Sequence, residues 1–146
     1  EFAKTHTRGF QPYLKLVLQL YPQYQQQNYT LVIDGKEITT QALFISFANS
    51  KQFGFNTEIA PNAELNDGLI DVVIVKKPPL PLLFWTAQLL FFRKFDKSIY
   101  VETYQAKHVV VKNMDKMSIN LDGEYVELNG DLDFSIVPKS LKVIIP

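Results

Sequence analysis

A chain of 146 residues, 47% of them hydrophobic, is long enough to bury one core without covalent staples. It has no cysteine, which excludes disulfides, zinc–thiolate sites and thiol catalysis and favours a reducing compartment. Fifteen basic residues balance fifteen acidic ones with no basic run, which argues against a nucleic-acid partner.

The opening "EFAKTHTRGF" has no apolar h-region of a secretory signal, and a start without Met points to a piece of a longer protein. Pro12 suits a first helical turn. Leu14, Val17, Leu18 and Tyr21 follow at helical spacing until Pro22, predicting a short amphipathic helix. "YTLVIDGKEITTQ" then reads as strand, Asp34-Gly35 turn, strand. "ALFISFAN" is apolar enough for the middle of a sheet, and "GFNTEIAP" is irregular as far as Pro61.

"LIDVVIV" is a β-branched strand between an Asp-Gly turn and Lys-Lys-Pro-Pro. From Leu80 to Phe95, Leu82, Leu83, Ala87, Leu90 and Phe91 recur at helical intervals. Arg93, Lys94 and Lys97 follow where cations favour the helix dipole, so a second helix is expected. The stretch "PPLPLLFWTAQLLFF" is shorter than the roughly 20 residues that span a bilayer. Six short strands are expected downstream, "SIYVETY", "KHVVVKN", "MSINLDG", "EYVELNG", "LDFSIVP" and "LKVIIP", with hairpin turns at Asp122-Gly123 and Asn129-Gly130. Many short strands and few helices predict a mainly β, antiparallel sandwich with two peripheral α-helices, residues 1–146 forming one domain.

Three acidic turn clusters are candidates for chemistry: Glu64/Asp67/Asp71, Asp115, and Asp122/Glu124. Asp67 in Asn-Asp-Gly serves as a turn former, and with carbonyl oxygens of its own loop it could also hold a hard cation such as Mg²⁺ or Ca²⁺. Asp122 and Glu124 flank a bend that places two carboxylates close together, either as a solvated turn or as a source of a general base. His6 and His108 form no cluster, and His108 reads as a surface strand residue. Neither GxGxxG nor GxxxxGK[ST] occurs, so the residues themselves show no nucleotide cradle.

The order "FANSKQFGFNTEIAPNAELNDGLIDVVIV", apolar helix, "INLDGEYVEL" and a closing "LKVIIP" resembles the C-terminal half of the diacylglycerol kinase family, which includes bacterial lipid kinases and sphingosine and ceramide kinases. The resemblance covers Leu43 to Pro146, with "RGFQPYLKLVLQLY" fitting more loosely as a lead-in. It implies a two-domain enzyme whose N-terminal domain carries a GGDGT nucleotide-binding motif and whose β-sandwich domain forms the other wall of the cleft. Only the second domain is expected here, so the 146-residue chain alone is expected to be inactive.

The resemblance further implies transfer of the ATP γ-phosphoryl group, with Mg²⁺, to a hydroxyl of diacylglycerol or a related lipid. Glu124 then matches the general base, Asp122 either orients it or takes part in its hydrogen-bond and magnesium network, and Asp67 binds a structural Mg²⁺ with main-chain carbonyls of Glu64 and Leu69. A sphingoid-base or other lipid kinase shares these motifs, and a non-catalytic lipid- or partner-binding module is the rival from another class. The implied partners are a lipid substrate at a membrane surface and the N-terminal nucleotide-binding domain, with room for a homodimer. The implied location is cytoplasmic and peripheral to the membrane. "Phe53-Gly54-Phe55-Asn56" departs from the glycine run of many members, costing backbone freedom and adding bulk. Phe84, Trp85, Phe91, Phe92 and Phe95 beside Arg93, Lys94 and Lys97 resemble an interfacial element. Cover for the open face of the sandwich is the preferred reading of these aromatics.

Overall fold

The computed structural model describes residues 19–54 and 57–140. Most of the helix expected from Pro12, the strand "LKVIIP", His6, and Phe55 and Asn56 of the departure from the glycine run lie outside the described residues. Gln19 and Leu20 are helical and run into a 3₁₀ turn at Tyr21–Gln23.

Strands β1 (Gln27–Ile33) and β2 (Lys36–Ala42) pair antiparallel through the expected Asp34-Gly35 turn. Both turn residues have positive φ, 46° and 83°, as a type I′ bend requires. The Asp34 carboxylate does more than turn the chain. Its Oδ1 accepts the backbone N–H groups of Lys107 and His108 at 3.0 Å each, tying this hairpin to the start of a distant strand.

Next come β3 (Phe44–Ala48), the short pair β4 (Gln52–Gly54) and β5 (Thr57–Glu58), and β6 (Ile70–Val75). The helix α1 (Leu80–Phe91) precedes β7 (Val101–Ala106), β8 (His108–Leu121) and β9 (Glu124–Ser135). One sheet has the order β2-β1-β8-β9 and the other β3-β6-β7. Tyr29 and Leu31 of β1 and Val109 and Val111 of β8 meet Ile70, Val72 and Ile74 of β6 in one buried cluster, so the two sheets face each other. The Phe47 and Phe134 rings stack across this interface with centroids 4.0 Å apart. The expected antiparallel β-sandwich is thereby formed.

Period-2 geometry sends alternate residues of β6 to opposite faces. Ile70, Val72 and Ile74 enter the sandwich, while Val73 and Val75 pack with Ile59, Ala60, Ala63, Phe95 and Val101 beneath α1. Every residue of β6 is buried, which explains an apolar character that Asp71 alone interrupts.

Several expectations need correction. β3 lies at an edge of its sheet, not the middle; its apolar residues serve the sandwich face, and Phe44 stays 38% exposed. "KHVVVKN" and "MSINLDG" form a single strand β8, as "EYVELNG" and "LDFSIVP" form β9. Asn129-Gly130 is consequently no hairpin: Gly130, with φ of 92°, pairs with Met114 where the β8–β9 register shifts. A glycine tolerating positive φ lets the strand absorb an irregularity instead of reversing.

Of the two expected helices, the one after β6 lies wholly among the described residues and stops at Phe91, short of Phe95; of the other only the helical Gln19 and Leu20 do. Lys94 N–H bonds the Leu89 carbonyl, with Arg93 left-handed at φ of 57°, a Schellman closure followed by a separate 3₁₀ turn at Phe95–Lys97. The preferred reading of the α1 aromatics as cover also divides. Phe95 is buried, whereas Phe84, Trp85, Phe91 and Phe92 are 55–67% exposed because Thr86, Leu89 and Leu90 supply the helix's inward face.

Candidate functional site

The loop before β6 is shaped by Asp67. Its Oδ1 accepts the Leu69 N–H at 2.9 Å, closing an Asx turn that leaves the second carboxylate oxygen for another ligand. Gly68 takes φ of 74° beside Pro138, where an added Cβ would meet the proline Cγ at 3.3 Å. Glycine is thus favoured by the positive φ, and a side chain there would in addition press on Pro138. Glu64 and Asp67 are exposed, and Leu69 is half-buried.

Asp71 does not belong to this turn. It lies within β6, 5% exposed, on the face away from the sandwich core. Gln105 donates to its Oδ1 at 3.3 Å, and its Oδ2 has no partner among the described residues. Burial is the main cause that raises its pKa; the Gln105 hydrogen bond opposes this, and the Asp67 charge adds to it. The carboxylate lines a cavity of about 230 Å³ with Asn62, Asp96, Thr103 and Gln105. Sequence reasoning did not find this cavity, although an Asp inside a fully buried β-branched run was its signal.

The other candidates lie on a separate element. Asp122 and Gly123 form the β8–β9 turn with φ of 48° and 97°, again type I′, and Asn120 Oδ1 accepts the Gly123 N–H at 2.9 Å. Glu124 is the first residue of β9, opposite Leu121, and both Asp122 and Glu124 are exposed. Among the described pairs β8 meets β1 from Val109 to Lys112, and the β8–β9 hairpin continues to Leu121 and Glu124, so Glu124 stands at its tip. Asp115 lies within β8 and not in a turn. His108, on the sheet surface as expected, contacts Asp133 through Nε2 at 2.9 Å.

The structure therefore does not gather the two candidate groups. Gly68 abuts Pro138 just beyond the end of β9, while Glu124 begins that strand. The eleven steps along its twelve residues, at about 3.3 Å each, put roughly 36 Å of strand between its two ends. Among the described residues no three His, Asp or Glu side chains come together as a metal cluster. A cation at Asp67 would rest on one carboxylate, main-chain oxygens and water, a donor set suited to Mg²⁺.

Residues 3–145 match a family model described as the YegS C-terminal NAD kinase beta sandwich-like domain. The chain belongs to this family. As a member of the YegS C-terminal family, it is 27% identical over 108 residues to a diacylglycerol kinase of Bacillus subtilis (strain 168), covering 74% of this chain and 36% of that protein. A diacylglycerol kinase of Mycobacterium tuberculosis (strain ATCC 25618 / H37Rv) is 28% identical over 119 residues, 81% of this chain and 38% of the relative. The chain thus spans between a third and two fifths of the length of these relatives.

The crystal structure of a diacylglycerol kinase from Bacillus anthracis str. Sterne shares the fold with a TM-score of 0.55 at 13% identity, over 80% of this chain and 42% of that one. The sandwich of this YegS-type domain is therefore homologous to the C-terminal part of diacylglycerol kinases. Among its described residues no helix is long and apolar enough to cross a membrane.

Proposed function

We propose that this domain is the C-terminal part of an ATP- and Mg²⁺-dependent lipid kinase, with diacylglycerol or a related lipid alcohol as acceptor. The observation that carries the reading is the placement of Glu124. It stands exposed at the tip of the β8–β9 hairpin, where its carboxylate can address a group held by a second body. Family membership with relatives named diacylglycerol kinase supports the choice of reaction.

In this scheme Glu124 accepts the proton of the lipid hydroxyl as its oxygen attacks the γ-phosphorus. The new O–P bond forms while the bond to the bridging oxygen breaks, and ADP leaves. Asp122 holds Glu124 in place through the rigid type I′ turn. Asp67, with the main-chain carbonyls of Glu64 and Leu69, would hold Mg²⁺, whose contribution is to fix the loop that leads into β6. Nucleotide positioning and charge neutralisation, the larger share of phosphoryl-transfer catalysis, would come from an N-terminal domain. The 146-residue chain alone is then inactive.

The test is ATP-dependent phosphorylation of diacylglycerol in mixed micelles by the whole protein carrying this chain, beside Glu124→Gln. Removal of a positioned general base should lower kcat by about 10²–10⁴-fold with folding unchanged. A variant as active as the wild type would remove Glu124 from the chemistry. A wild type inactive on diacylglycerol and on other lipid alcohols would favour a binding module.

A further inference from the structure

α1 is a helix without a single charged residue in its twelve positions, LPLLFWTAQLLF. A surface helix ordinarily carries its polar residues outward, and one that is apolar all round is ordinarily buried. Here only Thr86 is fully buried. Leu80, Phe84 and Phe91 recur at i, i+4 and i+11 and share one face, 48%, 55% and 58% exposed. Trp85 at 65% and Phe92 at 67% widen that face toward the C-terminal end of the helix.

Cations stand at that same end. Arg93 and Lys97 are 69% and 73% exposed; each has one carboxylate neighbour, Glu58 at 3.1 Å and Asp96 at 2.8 Å respectively. Lys94 is exposed and has no carboxylate partner among the described residues. In a chain of zero formal net charge, this cluster sets three cations against Asp96 and Glu58, a local excess of +1 carried by Lys94. Aromatic side chains and leucines on one face with basic residues at its margin match the chemistry of an anionic bilayer surface: acyl chains for the rings, phosphates for the ammonium and guanidinium groups.

We propose that the exposed face of α1, with Phe92 and the Arg93–Lys94–Lys97 cluster, docks on an anionic lipid surface. The helix lies in the plane of the interface, and its aromatic rings enter the headgroup boundary while Lys94 meets lipid phosphate. The inference deepens the lipid-kinase reading, since it names the face at which the domain would meet a membrane-resident acceptor, and its choice of occupant rests on that reading.

The chain contains one tryptophan, and it lies on this face, so Trp85 reports docking directly. In the 146-residue chain, Trp85 emission is expected to shift to the blue with phosphatidylcholine vesicles containing phosphatidylglycerol, and less with phosphatidylcholine alone or at high salt. In the whole protein carrying this chain, Phe84→Ser with Phe92→Ser should lower vesicle partitioning about tenfold or more, and Lys94→Glu should lower it on anionic vesicles alone. Circular dichroism should be unchanged, because all three side chains are exposed.

Vesicle activity should fall with partitioning while phosphorylation of a monomeric short-chain diacylglycerol is kept. Vesicle binding with no phosphorylation of any lipid alcohol would uphold the docking face and sink the kinase reading. A kinase that binds vesicles equally well with and without Phe84 and Phe92 would overturn the docking face alone. So would a concentration-dependent dimer abolished by the double substitution without any vesicle binding, or a Trp85 shielded from soluble quencher in the whole protein.

Discussion

Replacing Asp71 by Asn tests how this sandwich tolerates a carboxylate in its most buried strand. Asp71 is 5% exposed, and one of its two oxygens has no hydrogen-bond donor among the described residues. A buried acceptor left unsatisfied costs about 1–3 kcal/mol, more when it is charged. Asparagine keeps an oxygen for Gln105 and replaces the orphaned oxygen by an NH₂ that can donate into a cavity lined by Asn62 and Asp96. Asp71→Asn should therefore stabilise the domain by about 1–2 kcal/mol at pH 7 in the absence of divalent cations.

The pH dependence follows from the raised pKa. A folded-state carboxyl that holds its proton more tightly than the unfolded one, near 3.9, contributes stability below that value. This contribution is lost as pH rises through the higher folded value. The wild type should accordingly approach the variant as pH falls toward about 4, because the protonated acid itself becomes a donor. Urea unfolding of both proteins between pH 3.5 and 8 measures the difference. A variant less stable by about 1 kcal/mol or more at pH 7, or a gap that does not change with pH, would mean that the carboxylate has a partner and would refute the reasoning.

Asp34→Ala removes the acceptor shared by the Lys107 and His108 N–H groups and a residue able to hold φ of 46°, so a loss of about 1.5–3 kcal/mol is expected by urea unfolding. Asp34→Asn, which keeps the oxygen and tolerates the turn, should lose less than half as much. Leu31→Ala empties a side chain that is 0% exposed between the two sheets and should cost about 2–5 kcal/mol, with a matching fall in the thermal midpoint.

The elements legible in the sequence were those with a local physical cause. Asp34-Gly35 and Asp122-Gly123 are two-residue turns needing positive φ twice, and both appear where Asp-Gly places them. The strand "LIDVVIV" announced itself through a β-branched run that Asp71 alone interrupts. What failed depended on partners far along the chain. Asn129-Gly130 carries the same local signal as the true turns, but β8 continues opposite it, so pairing overrides propensity and only an irregular register remains. β3 has the composition of a central strand, and nothing local reveals that β6 and not β3 has neighbours on both sides.

The candidate residues were named from motifs, whereas the cavity beside Asp71 depends on Asn62, Asp96 and Gln105 arriving from three separate segments. The aromatics of α1 misled for a related reason. Their spacing gives the helix, but which side faces the sheet is settled by the seat that Thr86, Leu89 and Leu90 find against the 57–63 segment and β6.

The separation of Asp67 from Glu124 sets up a last prediction. Effects at sites farther apart than about 7–10 Å add, and roughly 36 Å of β9 lies between the ends near which these two residues stand. If Asp67 holds Mg²⁺ as proposed, millimolar Mg²⁺ should raise the thermal midpoint of the wild type and of Glu124→Gln equally. It should leave Asp67→Asn unmoved, since asparagine keeps the Asx turn to Leu69 but gives up the charge. Conversely Asp67→Asn should change activity in the whole protein only as far as it loosens the loop, whereas Glu124→Gln, if Glu124 is the base as proposed, should remove the chemical step. The double variant should then equal the sum of the two in stability to within about 0.5 kcal/mol. A Mg²⁺ response altered by Glu124→Gln would mean that one cation couples the hairpin tip to the β6 loop, and the picture of two independent sites would fall.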